Sequence, residues 1–164
     1  MRDWKSIIKY SDSEKIILGP FWSSGDNLKA VAGDLYELTK NIEYDCIATA
    51  ESKGIVFAAP VAAMAGKPFL LFRKLGKISL NNGATVGIEF SNWRNSPDGI
   101  EIESYLLKEG MKVLFIDDKI ERGCTLKAAN TLISERGGKI VACICIGNTY
   151  GTDKIDSIPV YSLL

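Results

Sequence analysis

The chain has 164 residues, enough for one hydrophobic core and short for two, so a single domain spanning 1–164 is expected. Lysine plus arginine and aspartate plus glutamate stand at 20 each, a balance that gives no electrostatic reason for general nucleic-acid binding. Hydrophobic residues make up 46% of the chain without the unbroken run of about 18 that a membrane span requires, which points to a soluble globule with no membrane partner.

The opening, MRDWKSIIKYS, mixes charged and apolar residues and lacks the apolar core of a secretion signal, so cytoplasmic residence is expected. Residues 3–10 fit a short helix with Trp4, Ile7 and Ile8 on one side, and 15–18 fit an extended segment stopped by Gly19-Pro20. Phe21 and Trp22 then precede a Ser/Gly/Asp turn. Two adjacent large aromatics there either line a pocket for a flat base or cap the core. Leu28, Val31, Ala32, Leu35, Leu38 and Ile42 recur at helical spacing after Ser24 or Asp26 as cap, giving an amphipathic helix over about 27–41.

Cys46-Ile47-Ala48 is a short buried strand that runs through Thr49 to Gly54 into a helix over 55–65. Small residues and Lys53 at that helix start suit an anion. A basic run, Arg73, Lys74 and Lys77, closes the next strand, and cations grouped at a strand end suit a polyanion. From Leu80 to Ser96 the pattern loosens into Asn, Gly and Ser around Ile88-Glu89-Phe90 and Trp93, the kind of long connection that is functional or mobile. IEIESYL, 100–106, alternates as an exposed edge strand does, and 107–110 turns into a central strand.

That strand, Val113 to Ile116, meets two adjacent carboxylates, Asp117 and Asp118, and a short turn holding Gly123 leads into the helical pattern Leu126, Ala129, Leu132, Ile133. In an open α/β sheet the carboxyl end of a strand and the start of the next helix form the binding crevice, because helix N–H groups without partners favour an anion. Twin carboxylates beside such a turn suit sugar hydroxyls or Mg²⁺ next to a phosphate. The helix stops at Arg136-Gly137-Gly138, residues 139–147 form a further buried strand, and Pro159 to Leu164 close the chain. Cys46, Cys143 and Cys145 fall in apolar runs as reduced core thiols, whereas Cys124 lies in the turn. With no histidine in the chain, Cys/His nucleophilic catalysis is excluded.

DDKIERGCTLKAA, from Asp117 to Ala129, resembles the phosphoribosyl-pyrophosphate (PRPP) signature of the type I phosphoribosyltransferases. Gly123 and Thr125 match the usual Ala-Thr-Gly-Gly-Thr loop. Glu121 adds a carboxylate, Arg122 stands where a small hydroxyl residue is usual, and Cys124 replaces a glycine. The segment around 50–79 resembles the adenine-type branch: Glu51, Ser52, Gly54, Arg73, Lys74, Gly76 and Lys77 match, and Lys53 replaces arginine. Val86 to Phe90 partly matches that branch's flexible hairpin lid, and the ending at 159–164 resembles its terminal strand. The resemblance covers roughly 44–164 in family order.

The resemblance implies a doubly wound, mainly parallel α/β sheet with a small N-terminal hood, here 1–25, and a flexible hairpin lid, here 78–99. The hood's usual Phe-Arg-Asp tripeptide is absent. The implied activity is Mg²⁺-dependent transfer of a 5-phosphoribosyl group from PRPP to a nitrogenous base, a purine and adenine-like by preference, with release of pyrophosphate. Asp117 and Asp118 would hold the ribose hydroxyls or the metal, and Glu121, Arg122, Gly123, Cys124 and Thr125 the 5′-phosphate. Glu51, Ser52 and Lys53 form the loop that holds pyrophosphate, with one peptide bond often cis. Arg73, Lys74 and Lys77 would reach the pyrophosphate of a partner subunit, making a homodimer. Ile120 would pack on the base. Glu89 is either the general acid/base near the purine or an ordinary surface glutamate. The alternative activity is non-catalytic sensing of PRPP or a nucleotide, which the altered 121–124 loop would accompany. A receiver-like domain fits poorly, since its acids belong near the first strand.

Overall fold

A computed structural model describes residues 2–6, 9–10, 16–79, 84–92, 94–149 and 151–164. A single 3₁₀ turn at Trp4–Ser6 and two short strands, β1 (Lys9–Tyr10) and β2 (Ile16–Ile17), precede α1 (Gly19–Trp22) and α2 (Gly25–Thr39). Then follow β3 (Cys46–Ala50), α3 (Ile55–Ala65), β4 (Phe69–Lys74), β5 (Thr85–Ser91) and β6 (Pro97–Glu103). The chain ends with β7 (Lys112–Ile120), α4 (Cys124–Ser134), β8 (Lys139–Asn148), β9 (Lys154–Ile155) and β10 (Ile158–Ser162).

An eight-stranded sheet in the order β5-β6-β4-β3-β7-β8-β10-β9 carries the fold. Its middle, β4-β3-β7-β8-β10, is parallel, and antiparallel β6, β5 and β9 extend the two edges. Parallel strands joined through helices must be covered on both faces, and that is why β3 and β7 read as unbroken apolar runs. One face packs on α4, burying Phe115, Leu126, Ala129 and Ile133, and the other packs on α2 and α3, burying Leu35, Phe57, Val61 and Leu114. The doubly wound, mainly parallel expectation holds.

Local chemistry sets the helix ends. Ser24 is extended and its Oγ accepts the Asn27 N–H at 3.1 Å, so α2 starts two residues before the expected 27. The expected helix over 3–10 is instead one 3₁₀ turn, held by tertiary contacts: the Trp4 indole donates to Asp34 at 2.8 Å and lies 5.1 Å from Phe21. Ile7, Ile8, Lys15, Leu80 and Trp93, which the sequence reading used, lie outside the described residues.

The strand expected at an exposed edge, 100–106, is corrected. β6 lies between β4 and β5, with Gly99 through Ile102 buried. Its alternation misleads because the turn after β4 folds over Glu101, which is 7% exposed. Among the described residues no helix is long and apolar enough to cross a membrane.

Candidate functional site

β3 and β7 are neighbours in the sheet, and their carboxyl ends open on one cavity of about 270 Å³. One wall is the β3–α3 loop, Ala50 to Lys53, and a second is the end of β7 with the first turn of α4, Asp117 to Leu126. Asn92 and Asp98, at the tip of the β5–β6 hairpin, supply the third. Asp117, Asp118, Ser52, Lys53 and the whole of 121–125 are thus brought together as the sequence reading required.

The acid pair is electrostatically loaded. Burial, reinforced by the charge of Asp118 beside it, pushes the Asp117 carboxyl well above the usual aspartate range. Asp117 Oδ1 already accepts the backbone N–H of Asp118 at 2.8 Å. A cation or hydroxyl donors at the pair would relieve that repulsion. Gly54 permits the close approach: a Cβ there would strike Thr49 Oγ1 and come within 2.9 Å of Asp117 Oδ1.

The loop before α4 turns at Gly123, where φ is +68° and a Cβ would stand 2.5 Å from Ile155 Cδ1. That turn sets the start of α4, Cys124 to Leu126, in the cavity wall, and the unpartnered N–H groups of a helix start attract an anion. Glu121 pairs with Lys119, Nζ to Oε1 3.1 Å, with its side chain 14% exposed. Across the cavity, the peptide bond between Glu51 and Ser52 is cis, matching what the resemblance implies for the pyrophosphate loop.

Other expected site residues have different duties. Glu51 lines the cavity, yet its Oε2 accepts Arg73 Nε at 2.9 Å and the Lys74 N–H at 3.0 Å; chiefly the Arg73 hydrogen bond holds its pKa below the ordinary range. Lys74 Nζ reaches both oxygens of Asp98 at 2.6 and 2.7 Å. Burial raises the Asp98 pKa, but Lys74 and the Gly99 amide outweigh it and leave the net shift downward. Arg73, Lys74 and Lys77 do not line this chain's cavity.

Glu101 escaped the sequence reading. Its Oε1 accepts the N–H groups of Lys77 and Ile78 at 2.7 Å each, fixing the basic turn. Burial works against its charge, while the amides of Ile78, Gly76 and Lys77 and the charge of Arg73 bring its pKa below the ordinary value.

Phe21, Trp22 and Glu89, for each of which two readings stood open, do not line the cavity, and Ile120 lies in its wall. Phe21 is 1% exposed and meets Phe57 edge-on at 6.3 Å, so it is a core residue. Trp22 is 38% exposed and lies 5.8 Å from Phe57; neither aromatic lines the cavity. Ile120 lines the cavity while its side chain, 2% exposed, packs with the core. Glu89 pairs with Gly99 on the exposed side of β5, because the alternate residues Val86, Ile88 and Phe90 pack inward; it does not reach the cavity.

The phosphoribosyl transferase domain family matches residues 23–163, nearly the whole described sheet and every wall of the cavity. The chain belongs to this family. An adenine phosphoribosyltransferase of Agathobacter rectalis is 35% identical over 117 residues, 71% of this chain and 64% of that protein. The chain thus matches just under two thirds of that relative's length. An adenine phosphoribosyltransferase of Mycoplasmopsis pulmonis is 31% identical over 100% of this chain and 94% of its own. In three dimensions this phosphoribosyl transferase domain superposes on the adenine phosphoribosyltransferase of Thermoanaerobacter pseudethanolicus with a TM-score of 0.86. The two are 25% identical, and the match covers 97% of this chain and 95% of the other.

Proposed function

We propose that this chain transfers the 5-phosphoribosyl group of PRPP to a purine, adenine or a close analogue, releasing pyrophosphate and forming a nucleoside monophosphate. The observation that carries the reading is one cavity shared by the Asp117–Asp118 pair, the amides of 121–125 and the Glu51–Ser52–Lys53 loop. Curated relatives 35% and 31% identical to this chain are named adenine phosphoribosyltransferases.

In the reaction the ribosyl carbon loses its bond to the pyrophosphate oxygen and gains one to a ring nitrogen of the base, passing through oxocarbenium character, and the ring N–H proton of the base passes to the departing pyrophosphate or to water. Asp117 and Asp118 hold the ribose hydroxyls and place negative charge beside that developing cation. The amides of 121–125 and the Thr125 hydroxyl hold the 5′-phosphate, and Ser52 and Lys53 face the leaving pyrophosphate. Positioning and charge placement supply the rate, with no covalent nucleophile.

The donor set fits Mg²⁺. This ion takes one or two carboxylates and completes its shell with water and substrate phosphate oxygens. Asp117 and Asp118 provide that, and among the described residues no three His, Cys, Asp or Glu gather into an all-protein cage. When bound there, Mg²⁺ would neutralise the departing pyrophosphate. Ile16 lies against Gly147 at the end of β8, so β2 stands beside the strand ends as an N-terminal hood over the base would. Arg73, Lys74 and Lys77, lying outside their own cavity, serve the partner's pyrophosphate in a homodimer.

Incubation with PRPP, Mg²⁺ and a panel of free purines and pyrimidines, scored for pyrophosphate release, tests the proposal. Release with adenine or a close analogue is expected. Silence with every base while PRPP still binds would replace the transferase with a PRPP sensor.

A further inference from the structure

The ion pair inside the cavity has no part in the reaction above, yet it sits at the edge of the phosphate loop. Lys119 and Glu121 flank Ile120 at the end of β7, both line the cavity, and their side chains are 25% and 14% exposed. Glu121 stands three residues before Cys124, where α4 starts. A carboxylate fixed there opposes a phosphate dianion through a partly buried path, where charges are felt more strongly than in water. The Lys119 ammonium, 3.1 Å from Glu121 Oε1, cancels that opposition and holds the carboxylate on its own side. Once the pair is neutral, the formal charge left on 119–125 is that of Arg122, which is positive and lines the same cavity.

We propose that Lys119 is a positioning residue of the phosphate site, holding and neutralising Glu121 so that the amides of 122–125 keep their affinity for a phosphate dianion. This rests on the assignment of 121–125 to the 5′-phosphate. It accounts for a loop that carries an acid where a neutral residue would do: the acid is tolerable because its countercharge stands two residues earlier. It also makes the two positions interdependent. Lys119 is dispensable once Glu121 has lost its charge.

Calorimetric titration of the full chain with ribose 5-phosphate tests it, using Lys119→Met, Lys119→Gln, Glu121→Gln and the two double variants. Each Lys119 replacement is expected to weaken binding by about tenfold or more, and adding Glu121→Gln to restore it to within about threefold of wild type. Glu121→Gln alone should bind at least as tightly as wild type. Met and Gln differ in shape and polarity but share the missing charge, so a packing fault confined to one would not recur in the other. Thermal melts of each variant check folding. Unchanged affinity in both Lys119 variants overturns the proposal, as does a loss that Glu121→Gln leaves unrepaired. A wild-type chain that binds PRPP but not ribose 5-phosphate removes the phosphate assignment, and this inference with it.

Discussion

Replacing Glu101 by alanine tests how the basic turn is held. The change leaves the Lys77 and Ile78 N–H groups, each 2.7 Å from Oε1, without their acceptor and strips Arg73 of a nearby countercharge. A hydrogen bond to a charged acceptor contributes roughly 1.5–3 kcal/mol. Because the turn lies at the rim of the sheet and its amides can swing out to water, the two losses add only in part, and about 2–4 kcal/mol is expected. In a chain of this size that lowers the melting temperature by about 5–15 °C. Folding lowers the Glu101 pKa below its ordinary value of 4.5, so its contribution is complete above that value and is lost as the pH falls through the lower folded value. Urea unfolding of wild type and Glu101→Ala should therefore differ most at neutral pH and converge as the pH falls below the ordinary glutamate value. Glu101→Gln keeps an acceptor oxygen without the charge and should fall between them. A neutral-pH difference below about 0.5 kcal/mol, or one that does not change with pH, would refute the reasoning.

Asp117→Asn with Asp118→Asn should weaken PRPP binding in the presence of Mg²⁺ by about tenfold or more, and the same variant should melt no lower than wild type, because folding now opposes the Asp117 charge. Equal PRPP affinity by calorimetry would reject the assignment of the pair. Gly54→Ala puts a methyl group against Thr49 Oγ1 and Asp117 Oδ1, and a loss of about 1–3 kcal/mol in thermal unfolding together with weaker PRPP binding is expected. Gly123→Ala meets both a φ of +68° and Ile155, so a loss of about 1–3 kcal/mol is expected by denaturant titration, and wild-type stability would contradict the left-handed turn.

The parts of this fold that could be read in the sequence are those in which neighbours along the chain determine the environment. Val113 to Ile116 are all buried because a central parallel strand is covered on both faces, and an unbroken apolar run says so directly. The helix at 55–65 and the loops before it and before α4 were legible for the same reason. Glu101 was not legible. Its alternating strand looks half-exposed, and what buries it is a turn 23 and 24 residues away. Phe21 and Trp22 look equivalent in sequence, yet α1 buries the first against Trp4 and Phe57 and leaves the second at the surface. Glu89, for which acid/base and surface readings both stood open, lies on the exposed side of β5 by the period of the strand: with Val86, Ile88 and Phe90 facing the core, the residue between them faces away.

The carboxylates around the cavity separate into two kinds by what already answers their charge. Glu51 holds Arg73, Asp98 holds Lys74, and Glu121 holds Lys119. Each is bound to a cation of the protein itself, so each shapes a wall and has little left for a ligand. Asp117 and Asp118 differ: among the described residues no lysine or arginine forms an ion pair with either, and they face one another across adjacent positions at the end of a buried strand. Two neighbouring acids left in that state cost the folded chain stability, which a purely structural role would not justify. A ligand that brings hydroxyl donors, or a divalent cation carried on a diphosphate, supplies what the protein withholds. The same count applied to a variant with a lysine placed beside the pair predicts a more stable fold and a poorer binder of PRPP, a trade that melting and calorimetry on one sample would show together.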